Sequence, residues 1–135
     1  MSGVAGLRFF VDETSLGLGK ALAIARDDVV HPGHDDFPEV PRNTDDTVWM
    51  PIVAGLDLVV ISRDKRIRTK PAELAAFRAC GLRVFWLAGR RDMNNWGYLT
   101  LVVKSWDRME EIIRDRGAGP WFYAVSDGAI RELTV

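Results

Sequence analysis

Two rhythms of apolar spacing run along this chain. Mostly apolar, β-rich runs fall at residues 7–11, 29–31, 56–62 (apolar apart from Asp57 until Ser62), 82–87 and 121–125, each short enough to be a buried strand. Between them apolar side chains recur every three or four positions. Leu16, Leu18, Ala21, Leu22 and Ala25 follow the first run, and Val48, Ile52 and Val53 mark a helix over 44–55. Leu74, Phe77 and Arg78 share one face of a helix over 71–80. Leu99, Val102, Val103, Trp106, Met109 and Ile113 predict a long helix ending near Arg114.

The punctuation agrees with these bounds. Thr14 or Ser15 can cap the first helix, Pro71 suits a first helical position, and Asn94 or Asn95 can cap the long one. Gly55 and Gly81 are natural stops. Pro51 conflicts with the second helix, because it lacks an amide hydrogen and crowds the preceding turn, so that helix must start late or kink. Residues 31–42 form a turn-rich loop with Pro and Gly.

Strands alternating with helices imply βαβ units. The expected fold class is therefore α/β, a three-layer α/β/α arrangement with a central, mainly parallel sheet. Right-handed crossovers gather the carboxyl ends of the strands on one edge, where such folds place ligands.

At 135 residues the chain fits one domain spanning 1–135, with room for a contiguous core. Hydrophobic residues make up 47% and charged residues 27%, yet no apolar run approaches the roughly 20 residues of a membrane span. The start of the chain lacks a basic region followed by an apolar stretch, so a cytoplasmic protein with no membrane partner is expected. A single cysteine, Cys80, excludes an internal disulfide and a Cys-based zinc site, and in its helix it reads as a small core residue.

A net charge of −1 hides a local asymmetry. Residues 27–46 hold seven acids (Asp27, Asp28, Asp35, Asp36, Glu39, Asp45, Asp46) against Arg42, whereas 63–70 hold Arg63, Lys65, Arg66, Arg68 and Lys70 against Asp64. An acidic site beside a basic rim suits a metal centre acting on a polyanion, although two solvated loops would give the same count.

Four runs set a carboxylate beside an apolar element: Phe9-Phe10-Val11-Asp12-Glu13, Thr44-Asp45-Asp46, Val60-Ile61-Ser62-Arg63-Asp64 and, more weakly, Arg91-Asp92. Like charges brought together repel unless a cation neutralises them. Magnesium and manganese take hard oxygen ligands, so Asp12, Asp64 and one of Asp45 or Asp46 are the expected ligands of Mg2+ or Mn2+. Taken singly, each acid could instead serve a helix dipole or cap, Glu13 and Asp12 included. His31 and His34 could make a zinc half-site, but in a loop without cysteine they read as residues near the site entrance. Trp49, Trp96 and Trp106 fall in amphipathic helices and read as core rather than as stacking platforms.

The segments 9–13, Asp45-Asp46-Thr47-Val48-Trp49 and Val59-Val60-Ile61-Ser62-Arg63-Asp64-Lys65 resemble PIN-like domains related to VapC-type toxins. That group has an Asp-Glu pair after strand one, an acidic pair before an Ile/Val-Trp dipeptide, and a Thr/Ser-Arg-Asp-Lys motif ending a central strand. The resemblance covers residues 7–87 and implies a metal-dependent ribonuclease, often a toxin silenced by a cognate antitoxin. It marks Asp12, Asp45 or Asp46, and Asp64 as metal ligands, with Arg63 and Lys65 near the scissile phosphate. Pro51 departs from the group's uninterrupted helix. The fourth acid has no clear counterpart, Asp92 and Asn94 being equally placed.

The leading expectation is thus a magnesium- or manganese-dependent endoribonuclease, the toxin of a type II toxin–antitoxin pair, cutting single-stranded or loop RNA. Asp12, Asp46 and Asp64 would carry catalysis, while Arg63, Lys65 and Arg66 would hold phosphates. Its partners would be RNA and an antitoxin, with a homodimer through the Trp-bearing last helix left open. Two other readings stand beside it. A receiver-type phosphoacceptor domain also has acids after strand one, but Phe85-Trp86-Leu87 offers no hydroxyl for a phosphoryl switch. A catalytically silent module could use the same fold to bind RNA or protein.

Overall fold

The computed structural model describes residues 6–63, 70–90 and 93–133. Five parallel strands and one antiparallel strand form a single sheet in the order β2-β1-β3-β4-β5-β6. The strands are β1 (Phe9–Val11), β2 (Val29–Val30), β3 (Val59–Arg63), β4 (Arg83–Leu87), β5 (Trp121–Ser126) and β6 (Ala129–Glu132). The helices are α1 (Leu16–Ala25), α2 (Asp46–Gly55), α3 (Pro71–Ala79) and α4 (Asn95–Arg116).

Strand side chains alternate between faces, so each strand feeds two cores. Phe9, Val11, Ile61, Phe85 and Tyr123 pack beneath α1 and α4, meeting Leu18, Leu22, Leu101, Val102 and Met109. Phe10, Val60, Val84, Trp86 and Phe122 face α2 and α3, meeting Trp49, Met50, Val53 and Phe77. An aromatic chain runs through this second core, Phe10 to Trp49 at 5.0 Å, Trp49 to Phe77 at 6.0 Å and Phe77 to Trp86 at 5.6 Å between ring centres. The result is the expected three-layer α/β/α sandwich. No helix among the described residues is long and apolar enough to cross a membrane.

Several expectations are corrected in detail. Residues 56–57 make a turn, with Asp57 at φ 58°, and the strand begins at Val59. Neither Thr14 nor Ser15 caps α1 through its side chain, because a 3-10 turn at Glu13–Ser15 comes between strand and helix. On α4 the buried face is Tyr98, Leu101, Val102, Met109 and Ile112, so Val103 points outward at 63% exposure. Asn94 caps that helix, its Oδ1 accepting the Gly97 amide at 2.9 Å. Trp49 is buried and Trp106 packs on Phe9 at 4.7 Å, but Trp96 is 74% exposed and belongs to no core.

Helix α2 runs through Pro51 as one element. Pro51 and Thr47, whose carbonyl loses its intrahelical partner, are both exposed, so water can replace the missing donor. Strand β6 was not anticipated. Its signal is Asp127-Gly128, with Gly128 at φ 79°, a two-residue turn that returns the chain with Ser126 paired to Ala129.

Candidate active site

The sheet order itself points to a site. The chain moves from β1 outward to β2, then crosses back to β3 on the other side of β1. At such a reversal the connections leave in opposite directions and open a crevice beyond the carboxyl ends of the two inner strands. Asp12 is the first residue beyond β1, and Ser62-Arg63 end β3.

Register and alternation then decide what meets. Phe10 pairs with Val60 and Val11 with Ile61, and the Asp12 amide donates to the Ile61 carbonyl at 3.2 Å, which sets Asp12 beside Ser62. Phe10 and Val60 face α2, so Asp12 and Ser62, two positions on, point the same way. Ser62 Oγ donates to Asp12 Oδ2 at 2.6 Å, and Thr14 Oγ1 donates to Asp12 Oδ1 at 2.6 Å.

The carboxyl is 7% exposed. Burial pushes its pKa from the ordinary 3.8 up to about 6, against the two hydroxyl donors, and the negative charge of Asp46 raises it further. Asp46 opens α2 and accepts the indole N–H of buried Trp49 at 2.8 Å, which fixes its carboxylate relative to the core. Asp45 occupies the capping position without a side-chain cap bond and is exposed.

Glu13 has a different job. It accepts Arg42 Nε at 2.6 Å and the Asn43 amide at 2.7 Å, where Asn43 adopts φ 63°. This clamps the turn that delivers Asp45 and Asp46 to the crevice.

Arg63 leaves the opposite face of β3. Its guanidinium lies 4.4 Å from the Tyr98 ring centre, and Nη1 donates to the Thr14 carbonyl at 3.3 Å. Among the described residues, Arg63 Nε and Ser15 Oγ are buried polar atoms without a hydrogen-bond partner. Asp64, Lys65, Arg66 and Asp92 lie outside the described residues.

His31 Nδ1 sits 2.9 Å from the Pro32 carbonyl, and His34 Nδ1 accepts the Asp36 amide at 3.0 Å, so each ring already has one nitrogen engaged. Among the described residues no three His, Cys, Asp or Glu side chains form a metal-binding group by themselves. Asp12 and Asp46 nonetheless fit the chemistry of a hard divalent ion. Magnesium keeps several waters and binds through one or two carboxylates, and a buried carboxyl beside a second acid is the arrangement such an ion relieves.

A family model described as PIN like domain matches residues 7–89. No curated protein and no solved structure matches the chain.

Proposed function

The chain belongs to the PIN-like domain family, a nuclease-type fold, and from that premise we propose that it is a magnesium- or manganese-dependent endoribonuclease hydrolysing RNA phosphodiesters at Asp12. The observation that carries this reading is the buried Asp12 carboxyl at the β1/β3 switch point, held by two hydroxyls and pressed by Asp46. Asp12 and Asp46 would hold the ion, Asp64 would complete the acidic set, and Asp45 is exposed at the N-cap beside Asp46. Bound there, the ion would activate a water and neutralise charge on the phosphodiester.

The chain's own groups prepare the site. The Ser62 and Thr14 hydroxyls orient both Asp12 oxygens, Glu13 holds the acidic turn in place, and the Trp49 indole fixes Asp46. Lys65 and Arg66 would supply positive charge for the RNA backbone, whereas Arg63 is turned toward Tyr98 on the other face of β3. In this reading the chain is the toxin of a toxin–antitoxin pair, and an antitoxin protein would keep it silent.

Cleavage of single-stranded RNA is the test. Parent protein should cut in Mn2+ or Mg2+ and stop in EDTA, and Asp12→Asn should lose about 100-fold or more. Metal-independent cutting that survives Asp12→Asn and Asp64→Asn rejects the site. Salt-dependent RNA binding with no turnover in manganese would mark a silent binding module instead.

A further inference from the structure

Beyond the acidic crevice, the same edge of the sheet carries a second concavity. It starts at Ala88, directly after β4, and encloses about 400 Å³ between Gly89, Arg90, Met93, Trp96 and Lys104. Two glycines let Met93 and Tyr98 pack closely into its wall. A Cβ at Gly89 would lie 2.6 Å from Met93 Cε and 2.8 Å from Tyr98 Cε1, and one at Gly97 would lie 2.4 Å from Met93 Cγ.

We propose that this cleft is a nucleobase-binding subsite, in which Trp96 stacks on an unpaired base of the single-stranded RNA whose backbone runs to Asp12. The proposal rests on the ribonuclease reading above and names where its substrate is gripped.

Three observations support a base as the occupant. Trp96 is a large aromatic ring left 74% exposed at the rim, and every base has a face that such a ring can cover. The rim is cationic, with Arg90 and Lys104 against Asp127. Lys104 Nζ is tied to Asp127 Oδ1 at 3.0 Å, and Arg90 adds a second positive charge near Asp127 that would attract a phosphate. The cleft and the acidic site also share the carboxyl edge of the sheet, the cleft after β4 and Asp12 after β1. Tyr98 contacts its Gly89 wall, carries the Arg63 guanidinium at 4.4 Å, and Arg63 bonds to Thr14, whose hydroxyl holds Asp12. Most of the cleft comes from residues beyond 89, outside the segment shared with the family.

A second copy of the chain is the competing occupant, since Val103 is exposed two turns along α4 from Trp96. The test separates the two. Binding of a fluorescein-labelled octauridylate is measured in EDTA, where no cleavage occurs, alongside an octamer of equal charge lacking its bases. Trp96→Ala should weaken octauridylate binding about 5- to 100-fold, and Trp96→Phe should recover most of it. Parent and Trp96→Ala should bind the baseless octamer alike. Equal binding of octauridylate by parent and Trp96→Ala overturns the proposal. So does a Trp96-dependent dimer in size-exclusion chromatography whose RNA affinity is independent of the ring. Trp96-dependent binding in a protein that never cleaves in Mn2+ would refute the ribonuclease reading while leaving the subsite in place.

Discussion

Replacing Asp12 by asparagine should stabilise the metal-free protein at neutral pH and do nothing of the kind in acid. Asp12 titrates near 6 in the folded chain against 3.8 ordinarily, chiefly because it is buried. The folded state therefore keeps a proton that the unfolded state has already released. Stability contributed by the protonated form is fully present below about pH 4 and is lost as pH rises through about 6. At 1.36 kcal/mol per unit, the loss reaches about 3 kcal/mol above pH 7. Asparagine is nearly isosteric and never ionises. Its amide can still accept from one hydroxyl and donate to the other, so about 1 kcal/mol of imperfect hydrogen bonding is the expected cost. The variant should thus be equal or slightly weaker at pH 4 and stronger by about 2 kcal/mol at pH 7.5.

Urea denaturation in EDTA at four pH values between 4 and 7.5 measures this, with the difference between variant and parent removing every other titrating group. At an m-value of about 1–3 kcal/mol/M, the neutral-pH difference moves the midpoint by roughly 1 M. Manganese should then stabilise the parent by about 2.7 kcal/mol at 100 times its Kd and leave Asp12→Asn unmoved. A variant-minus-parent difference that stays flat within about 0.5 kcal/mol across the pH range would refute the buried, proton-retaining Asp12.

Three further outcomes are expected. Asp46→Asn keeps an oxygen for the Trp49 indole and should alter stability by less than about 0.5 kcal/mol while abolishing most cleavage, whereas Asp46→Ala strands that buried N–H and should cost a further 1–3 kcal/mol or so in denaturant melts. Ser62→Ala removes a donor that favours the Asp12 carboxylate, so the acid limb of the pH–rate profile should move to higher pH, a shift that wild-type-like limbs would contradict. Gly19→Ala gains about 1 kcal/mol of helix propensity but sets a methyl 3.0 Å from His31 Cβ and 3.2 Å from Val11 Cβ, and overpacking should make it net destabilising by about 1–2 kcal/mol in thermal melts.

The architecture was legible because it depends on periodicity. Runs of Val, Ile and Phe separated by three-to-four spacing leave few alternatives to a parallel sheet between helices, and the acid after β1 follows from the same pattern. The acidic pair at the start of α2 was also visible as residues, although not as a division of labour between Asp46, bonded to an indole, and Asp45, exposed.

What the chain could not disclose in one dimension were facts of register and azimuth. Sequence spacing cannot say that β1 lies between β2 and β3, yet that order opens the crevice and places Ser62 on Asp12 across 50 positions. Arg63 follows Ser62 directly and must face the other way, toward Tyr98, because strand side chains alternate. Glu13 reaches Arg42 and Asn43 only once the loop closes. Trp96 shows the same division most sharply. Its three-residue spacing to Leu99 matched a core position, but around α4 it lies nearly opposite Tyr98 and Ile112 on the buried face, and only packing against the sheet fixed which side turns inward.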